Sequence, residues 1–186
     1  MPRSHRCAPF RLAGIIAVCT CAWSGSTAIL CPLPAAAQQS VTTGSAVEAN
    51  KALVRRFIDE VHNKGNFALF NELFAASYVN HSAPANRNDR AAREQSIKGF
   101  REASPDLHVT IDDMVAEGDK VALRWTTHGT ERGPIRTPLG TAPATDRPIS
   151  IPGVNIFRIV GGQITDEWIV WDTLSWVQQL GLAGPR

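Results

Sequence analysis

The feature that most constrains this chain is a change of hydrophobic period at Ser104-Pro105-Asp106. Before it, Val47, Val54, Phe57, Ile58 and Val61 recur every three to four residues, with Lys51, Arg55, Arg56, Asp59 and Glu60 mostly on the opposite side. After it, apolar residues alternate: Leu107, Val109, Ile111, then Val121, Leu123, Trp125. A helix meets its core with period 3.6 and a strand with period 2. The N-terminal part is therefore helical and the C-terminal part a sheet. Gly118-Asp119 and Gly161-Gly162 join successive strands through two-residue turns. Turns that short allow antiparallel neighbours only and exclude a doubly wound parallel sheet. Helices followed by an antiparallel sheet make an α+β domain.

Ser45 and Glu48 have the spacing of a capping box and predict a first helix that ends at Gly65. A short second helix carries Phe67, Phe70, Leu73 and Phe74. The segment Tyr78-Val79-Asn80-His81-Ser82 leaves it, and Pro84 stops regular structure. A third helix runs from about Asp89 to Ala103. Its Arg90, Arg93, Lys98 and Arg101 read as a solvated basic face, with Glu94 and Lys98 as an i,i+4 pair. Residues 132–148 hold Pro134, Pro138, Pro143, Pro148, Gly133 and Gly140, an irregular connection and a candidate lid or rim. Strands over Ile149 to Val160 and Gln163 to Trp171 follow, then a final helix from Thr173 to Leu180.

Residues 1–37 have the character of a signal peptide. Arg3, Arg6 and Arg11 precede an apolar run from Leu12 to Cys21, and Ala35-Ala36-Ala37 supplies an A-x-A-like cleavage site. The run is too short for a membrane anchor. Cleavage after Ala37 leaves 149 residues with formal charge −1 and none of the four cysteines, at 7, 19, 21 and 31. Disulfides, thiolate nucleophiles and cysteine-held zinc are then excluded from a periplasmic or secreted mature protein. Residues 38–45 read as a linker and 46–182 as the domain.

The near-neutral balance gives no electrostatic reason to expect nucleic acid. Phosphate-binding glycine loops, the G-x-S-x-G elbow and H-E-x-x-H are absent. His62, His81, His108 and His128 have no metal-ligand spacing, so no metal site is expected. What remains is a sheet with polar residues among aromatics. Glu167, Ile169 and Trp171 share one face of the last strand, and Asn155 shares a face with Phe157 on the strand before. A carboxylate on an apolar, tryptophan-lined face resists ionisation, the condition for a general base near neutrality. Glu167 is the candidate base on this logic; otherwise it points to solvent or pairs with an arginine. Asp172 is a candidate site carboxylate or the N-cap of the last helix, with Trp171 and Trp176 as its hydrophobic staple. His81, in an irregular stretch, is a candidate proton shuttle or a satisfied structural histidine.

The pieces Tyr78-Val79-Asn80-His81, Ser104-Pro105-Asp106-Leu107-His108, Glu117-Gly118-Asp119-Lys120-Val121, Gly129-Thr130, Ile156-Phe157-Arg158-Ile159 and Trp168 with Trp171-Asp172 occur in a telling order. In that order and spacing the chain resembles the SnoaL-like polyketide cyclase or ester cyclase family, over about residues 47–182. That family belongs to the cone-shaped superfamily of nuclear transport factor 2 and ketosteroid isomerase. The resemblance implies a cone-shaped, curved antiparallel sheet wrapped around three N-terminal helices, plus a short C-terminal helix, with a pocket at the wide end. It implies cofactor-free removal of a proton next to a carbonyl, and a homodimer. Two departures stand out. The cyclases' aspartate base falls at Ile169 and their pocket histidine at Asn155, while Glu131 stands where relatives often carry histidine. Glu167 or Glu131 is then the alternative base, His81 and Asp172 complete the candidate catalytic set, and Trp125, Glu131, Asn155, Phe157, Trp168, Ile169 and Trp171 form the candidate pocket. Three readings follow: a cofactor-independent cyclase, isomerase or hydrolase acting on a small apolar or carbonyl-containing molecule; a small-ligand binder of the same fold; or a dimerisation module.

Overall fold

The computed structural model describes the backbone of residues 35–183 and the side chains of residues 44–183, all within one compact unit. The cysteines and nearly all of the expected export segment lie outside these residues. In chain order the elements are α1 (Ala35–Arg56), a π-helical continuation (Phe57–Asn63), a 3₁₀ turn (Phe67–Leu69), α2 (Phe70–Leu73), β1 (Phe74–Asn80), a 3₁₀ turn (Ala85–Arg87) and α3 (Arg90–Ala103). The sheet-forming half follows: β2 (His108–Glu117), β3 (Lys120–Glu131), β4 (Ile135–Thr137), β5 (Gly140–Ala142), β6 (Arg147–Val160), β7 (Gln163–Trp171), and then α4 (Thr173–Gln179).

The strands β1-β7-β6-β3-β2 form one open sheet in that order, and every pair except β1–β7 is antiparallel. Register shifts at Ile111/Asp113 and Arg158/Ile159 bend β2 and the β6–β7 pair, as bulges do. The expected α+β architecture with its short last helix is present. Val54, Phe57, Ile58 and Val61 are buried as the period-3.6 stripe required. Along β6, Ile149, Ile151, Gly153, Asn155, Phe157 and Ile159 face in, and their neighbours face out or lie half-buried.

Three local expectations change. The first helix starts at Ala35, so Ser45 lies inside it and caps nothing, and residues 38–44 are helical rather than a linker. Alanines favour a helix and no proline interrupts this stretch. The second helix is one turn long, because Phe74 already enters β1. Tyr78 to Asn80, to which the local pattern assigns no element, are the end of that strand. Its partner β7 lies far along the chain, which local pattern does not reveal. The proline-rich connection 132–148 contains the β4–β5 hairpin, and it tucks Ile135 and Ala142 into the core under α4.

The interior has two apolar clusters. One, under α1, is built on Phe57, Phe70, Phe74, Leu123 and Phe157. The other, under α4, is built on Trp176, Ile149, Ile151 and Leu180. Burying each such side chain contributes roughly 1.5–3 kcal/mol. The outer face of the sheet leaves Val154 and Ile156 on β6 and Val170 on β7 exposed. No helix among the described residues is long and apolar enough to cross a membrane.

Candidate functional site

Where the two clusters meet there is a cavity of about 310 Å³. Its apolar walls include Ile58, Phe100, Leu107, Ile149, Ile151, Ile169, Trp125 and Trp171. Its polar lining is His62, Asn80, Ser82, Ser96, Thr127, Asn155, Arg87 and Arg93, with no Asp or Glu. No residue of 132–148 lines it, so that connection is a prop for α4 and not a cover for this cavity.

One wall is a closed polar network around Glu167, which is wholly buried. Arg93 of α3 donates Nε to Glu167 Oε2 at 2.8 Å and Nη2 to Oε1 at 3.0 Å. The Tyr78 hydroxyl donates to Oε2, and Asn155 Nδ2 donates to Oε1. Trp125 Nε1 in turn donates to Asn155 Oδ1 at 2.7 Å. Burial opposes the charge on Arg93, and the neighbouring carboxylate more than offsets it, so the guanidinium stays charged. Burial first, and then the Glu167 charge, push the Tyr78 hydroxyl up, which keeps it a donor. Gly153 makes the network possible: it pairs with Trp125 across the sheet, and a Cβ there would overlap the indole ring. Of the expectations for Glu167, the geometry is that of the arginine pair, and the solvent-facing one fails because the side chain is wholly buried. Four donors occupy its oxygens and it does not line the cavity.

The opposite wall comes from the end of α1. Asn63 clamps it to the edge strand β2, donating Nδ2 to the Val109 carbonyl at 3.0 Å and accepting from Val109 N at 2.7 Å. Arg101 of α3 donates Nη1 to the His62 and Asn63 carbonyls. Gly65, with φ 71°, lets the chain turn under Arg101. The result is a fixed His62 whose ring stands edge-on to Phe57, centroids 4.9 Å apart, and lines the cavity. Among the described residues no hydrogen bond reaches that ring. Burial, then the charges of Arg93 and Arg101, hold its pKa well below the ordinary histidine value, so the ring is neutral at neutral pH.

The sequence candidates therefore separate. Trp125, Asn155, Ile169 and Trp171 line the cavity. Phe157 is in the apolar cluster under α1. Trp168 and His81 stack on each other away from the cavity, centroids 4.6 Å apart, and His81 Nε2 meets Asp166 Oδ1 at 2.7 Å. Asp172 caps α4, accepting from Ser175 N at 2.8 Å, and the Trp171 and Trp176 rings on either side of it in sequence pack against each other, centroids 5.2 Å apart. Glu131 is fully buried at the far end of β3 beneath Trp176. Its Oε1 accepts from Ser104 at 3.3 Å, while Oε2 and the nearby Trp176 Nε1 have no hydrogen-bond partner. Burial, opposed in part by Ser104 and Trp176, pushes its carboxyl up.

Two residues escaped the sequence reading, and both carried a signal. His62 lies four residues after Ile58, on the inward side of the π-helical continuation of α1. Arg93 lies four before Ile97 and seven before Phe100, on the inward stripe of α3. The basic face expected on α3 is not a solvated one. Glu94 and Lys98 pair at 2.6 Å as expected, but Arg93 and Arg101 point in, and Arg90 donates to the Phe74 carbonyl at 3.2 Å. Among the described residues there is no cluster of three or more His, Cys, Asp or Glu that could hold a metal.

The sequence pattern of SnoaL-like polyketide cyclases matches residues 52–180. Among solved structures, TsrD of Streptomyces laurentii is 29% identical, with a TM-score of 0.65 over 73% of this chain and 97% of its own. A candidate polyketide cyclase of Bacillus cereus is 25% identical, with a TM-score of 0.62 over 73% and 83%. IdmH, a candidate polyketide cyclase of Streptomyces antibioticus, is 26% identical, with a TM-score of 0.60 over 71% and 98%. No curated protein matches the chain.

Proposed function

The chain belongs to the SnoaL-like polyketide cyclase family, and from that premise we propose that it takes up a small, mainly apolar, carbonyl-containing molecule for cofactor-free acid–base chemistry of the cyclase or isomerase kind. The observation that carries this is the cavity: about 310 Å³, apolar walls, and a few convergent polar groups. Trp125 and Trp171 line it and report its occupancy. Small bicyclic ketones are expected to quench tryptophan emission saturably, and Ser96→Trp, which fills the cavity from α3, is expected to abolish the effect. Quenching that persists in Ser96→Trp would place the ligand elsewhere. A non-catalytic binder is the second reading, favoured by Ile169 at the cyclase base position and by a lining without carboxylates.

The proposal extends to assembly and export. Val154, Ile156 and Val170 form an exposed apolar row on the sheet's outer face. Arg124–Asp112 and Arg158–Asp166 ion pairs flank it, a surface suited to a second copy of the same chain. The export reading of residues 1–37 stands with it. Intact mass and sedimentation of the chain recovered from an exported fraction test both. An N-terminus at Gln38 and a dimer are expected; an uncleaved chain removes the first and a monomer the second.

A further inference from the structure

We propose that His62 is the proton acceptor of this cavity, removing a proton from the carbon beside a substrate carbonyl and returning it later in the reaction. The inference rests on the small-molecule reading above and adds the group that does the chemistry. The sequence offered Glu167, Glu131, Asp172 and His81 for that work. Glu167 is engaged by Arg93, Tyr78 and Asn155; Asp172 caps a helix; His81 pairs with Asp166; and Glu131 lies beneath Trp176. None of the four lines the cavity. His62 does, with its ring braced by Phe57, its backbone pinned by Arg101 and Asn63, and no hydrogen bond to the ring among the described residues.

A general base must be unprotonated, fixed and within reach of the proton it takes. The charged groups facing His62 are Arg93 and Arg101, both from α3, and neither accepts a proton at neutral pH. Their charges keep the imidazole unprotonated at neutral pH and oppose the imidazolium, so the negative charge of the developing enolate has to offset them in the step. The same positive field favours an enolate near the Arg93 wall. In the step, the C–H bond breaks and its proton goes to an imidazole nitrogen. The electron pair moves into the C=C–O⁻ of the enolate. When the enolate is reprotonated at carbon, or attacks a second carbonyl and leaves an alkoxide, the imidazolium returns the proton. Atoms and electrons balance without oxidant, reductant or metal. His62 also stands in a π-helical segment, a departure from regular helix that often accompanies functional sites.

The test uses 2-tetralone, an apolar bicyclic ketone with a C–H bond flanked by its carbonyl and its aromatic ring. Two readouts are taken on the same sample: tryptophan quenching for binding, and deuterium uptake at that carbon, followed by NMR in D₂O. The wild type is expected to bind and to accelerate exchange. His62→Gln is expected to bind with similar affinity and lose about 10²-fold of the protein-dependent exchange rate. His62→Phe, which keeps the packing on Phe57, serves as the second variant should His62→Gln not fold. The wild-type exchange rate is expected to be flat above the ordinary histidine range and to fall only at distinctly lower pH. Binding without acceleration, or acceleration that survives in either variant, overturns the role of His62 and leaves the binding reading standing. Absence of binding to the wild type counts against the small-molecule reading itself.

Discussion

Two wholly buried glutamates of the same sheet are held in opposite ways. Glu167, in the middle of β7, receives donors from Arg93, Tyr78 and Asn155. Glu131, at the end of β3, has one long hydrogen bond from Ser104 and an oxygen with no partner. Burial alone disfavours a charged carboxylate in both places. In the first, a paired cation and aligned donors answer that cost, and the carboxylate becomes a fastener between α3, β1, β6 and β7. In the second the cost stands, and the carboxyl is pushed up. Equal burial therefore predicts neither the charge nor the role of an acidic side chain; its partners do.

Removing the partnership is the strongest way to break this contrast. Glu167→Gln leaves Arg93 as a buried, unpaired cation and is expected to cost about 3–5 kcal/mol of unfolding free energy. The double replacement Arg93→Met with Glu167→Leu is expected to cost less than Glu167→Gln alone. Chemical denaturation of the three proteins decides it: if Glu167→Gln is as stable as the wild type, the fastener reading is wrong.

An indirect blow to the same network is expected to cost less. Gly153→Ala drives the Trp125 ring from its place over β6 and releases Asn155 Oδ1. Overpacking of this kind costs about 1–3 kcal/mol. The near-UV circular dichroism of the indoles is expected to change with it, and an unchanged spectrum would show that Trp125 does not depend on this glycine.

Glu131 gives the smallest effect, with the opposite sign. Its folded pKa lies above the ordinary glutamate value of 4.5. The folded state therefore holds a proton that the unfolded chain has released, and stability is lost as pH rises through the folded value. Glu131→Gln removes that loss. It is expected to be more stable than the wild type at neutral pH by on the order of 1 kcal/mol, with the gap narrowing toward pH 4.5. A gap that widens on acidification would reverse the assignment.

Much of the frame was legible because it depends on neighbours in sequence. The switch from period 3.6 to period 2, the turns at Gly118 and Gly161-Gly162, the Asp172 cap and the alternation along β6 are local, and each appears in the structure. The cavity was half legible: alternation placed Trp125, Asn155, Ile169 and Trp171 inward, but Phe157 joined the core, Trp168 faced outward against His81, and sequence spacing tested His62 only as a metal ligand and placed Arg93 on a solvated face. A helical stripe states which side is buried; it does not state whether an arginine or histidine on that stripe will meet a carboxylate, a backbone carbonyl or an empty space.

By itself, then, the sequence determined the helical and sheet-forming halves, the buried faces of β3, β6 and the first helix, and the turns at Gly118 and Gly161-Gly162, because these follow from side-chain period and backbone sterics over a few residues. Only the tertiary structure decided that β1 lies parallel to β7, that Arg93 meets Glu167 across 74 residues, and that His62 lines the cavity. Those outcomes depend on contacts between distant segments, where burial and electrostatic pairing choose among partners that local pattern leaves equivalent.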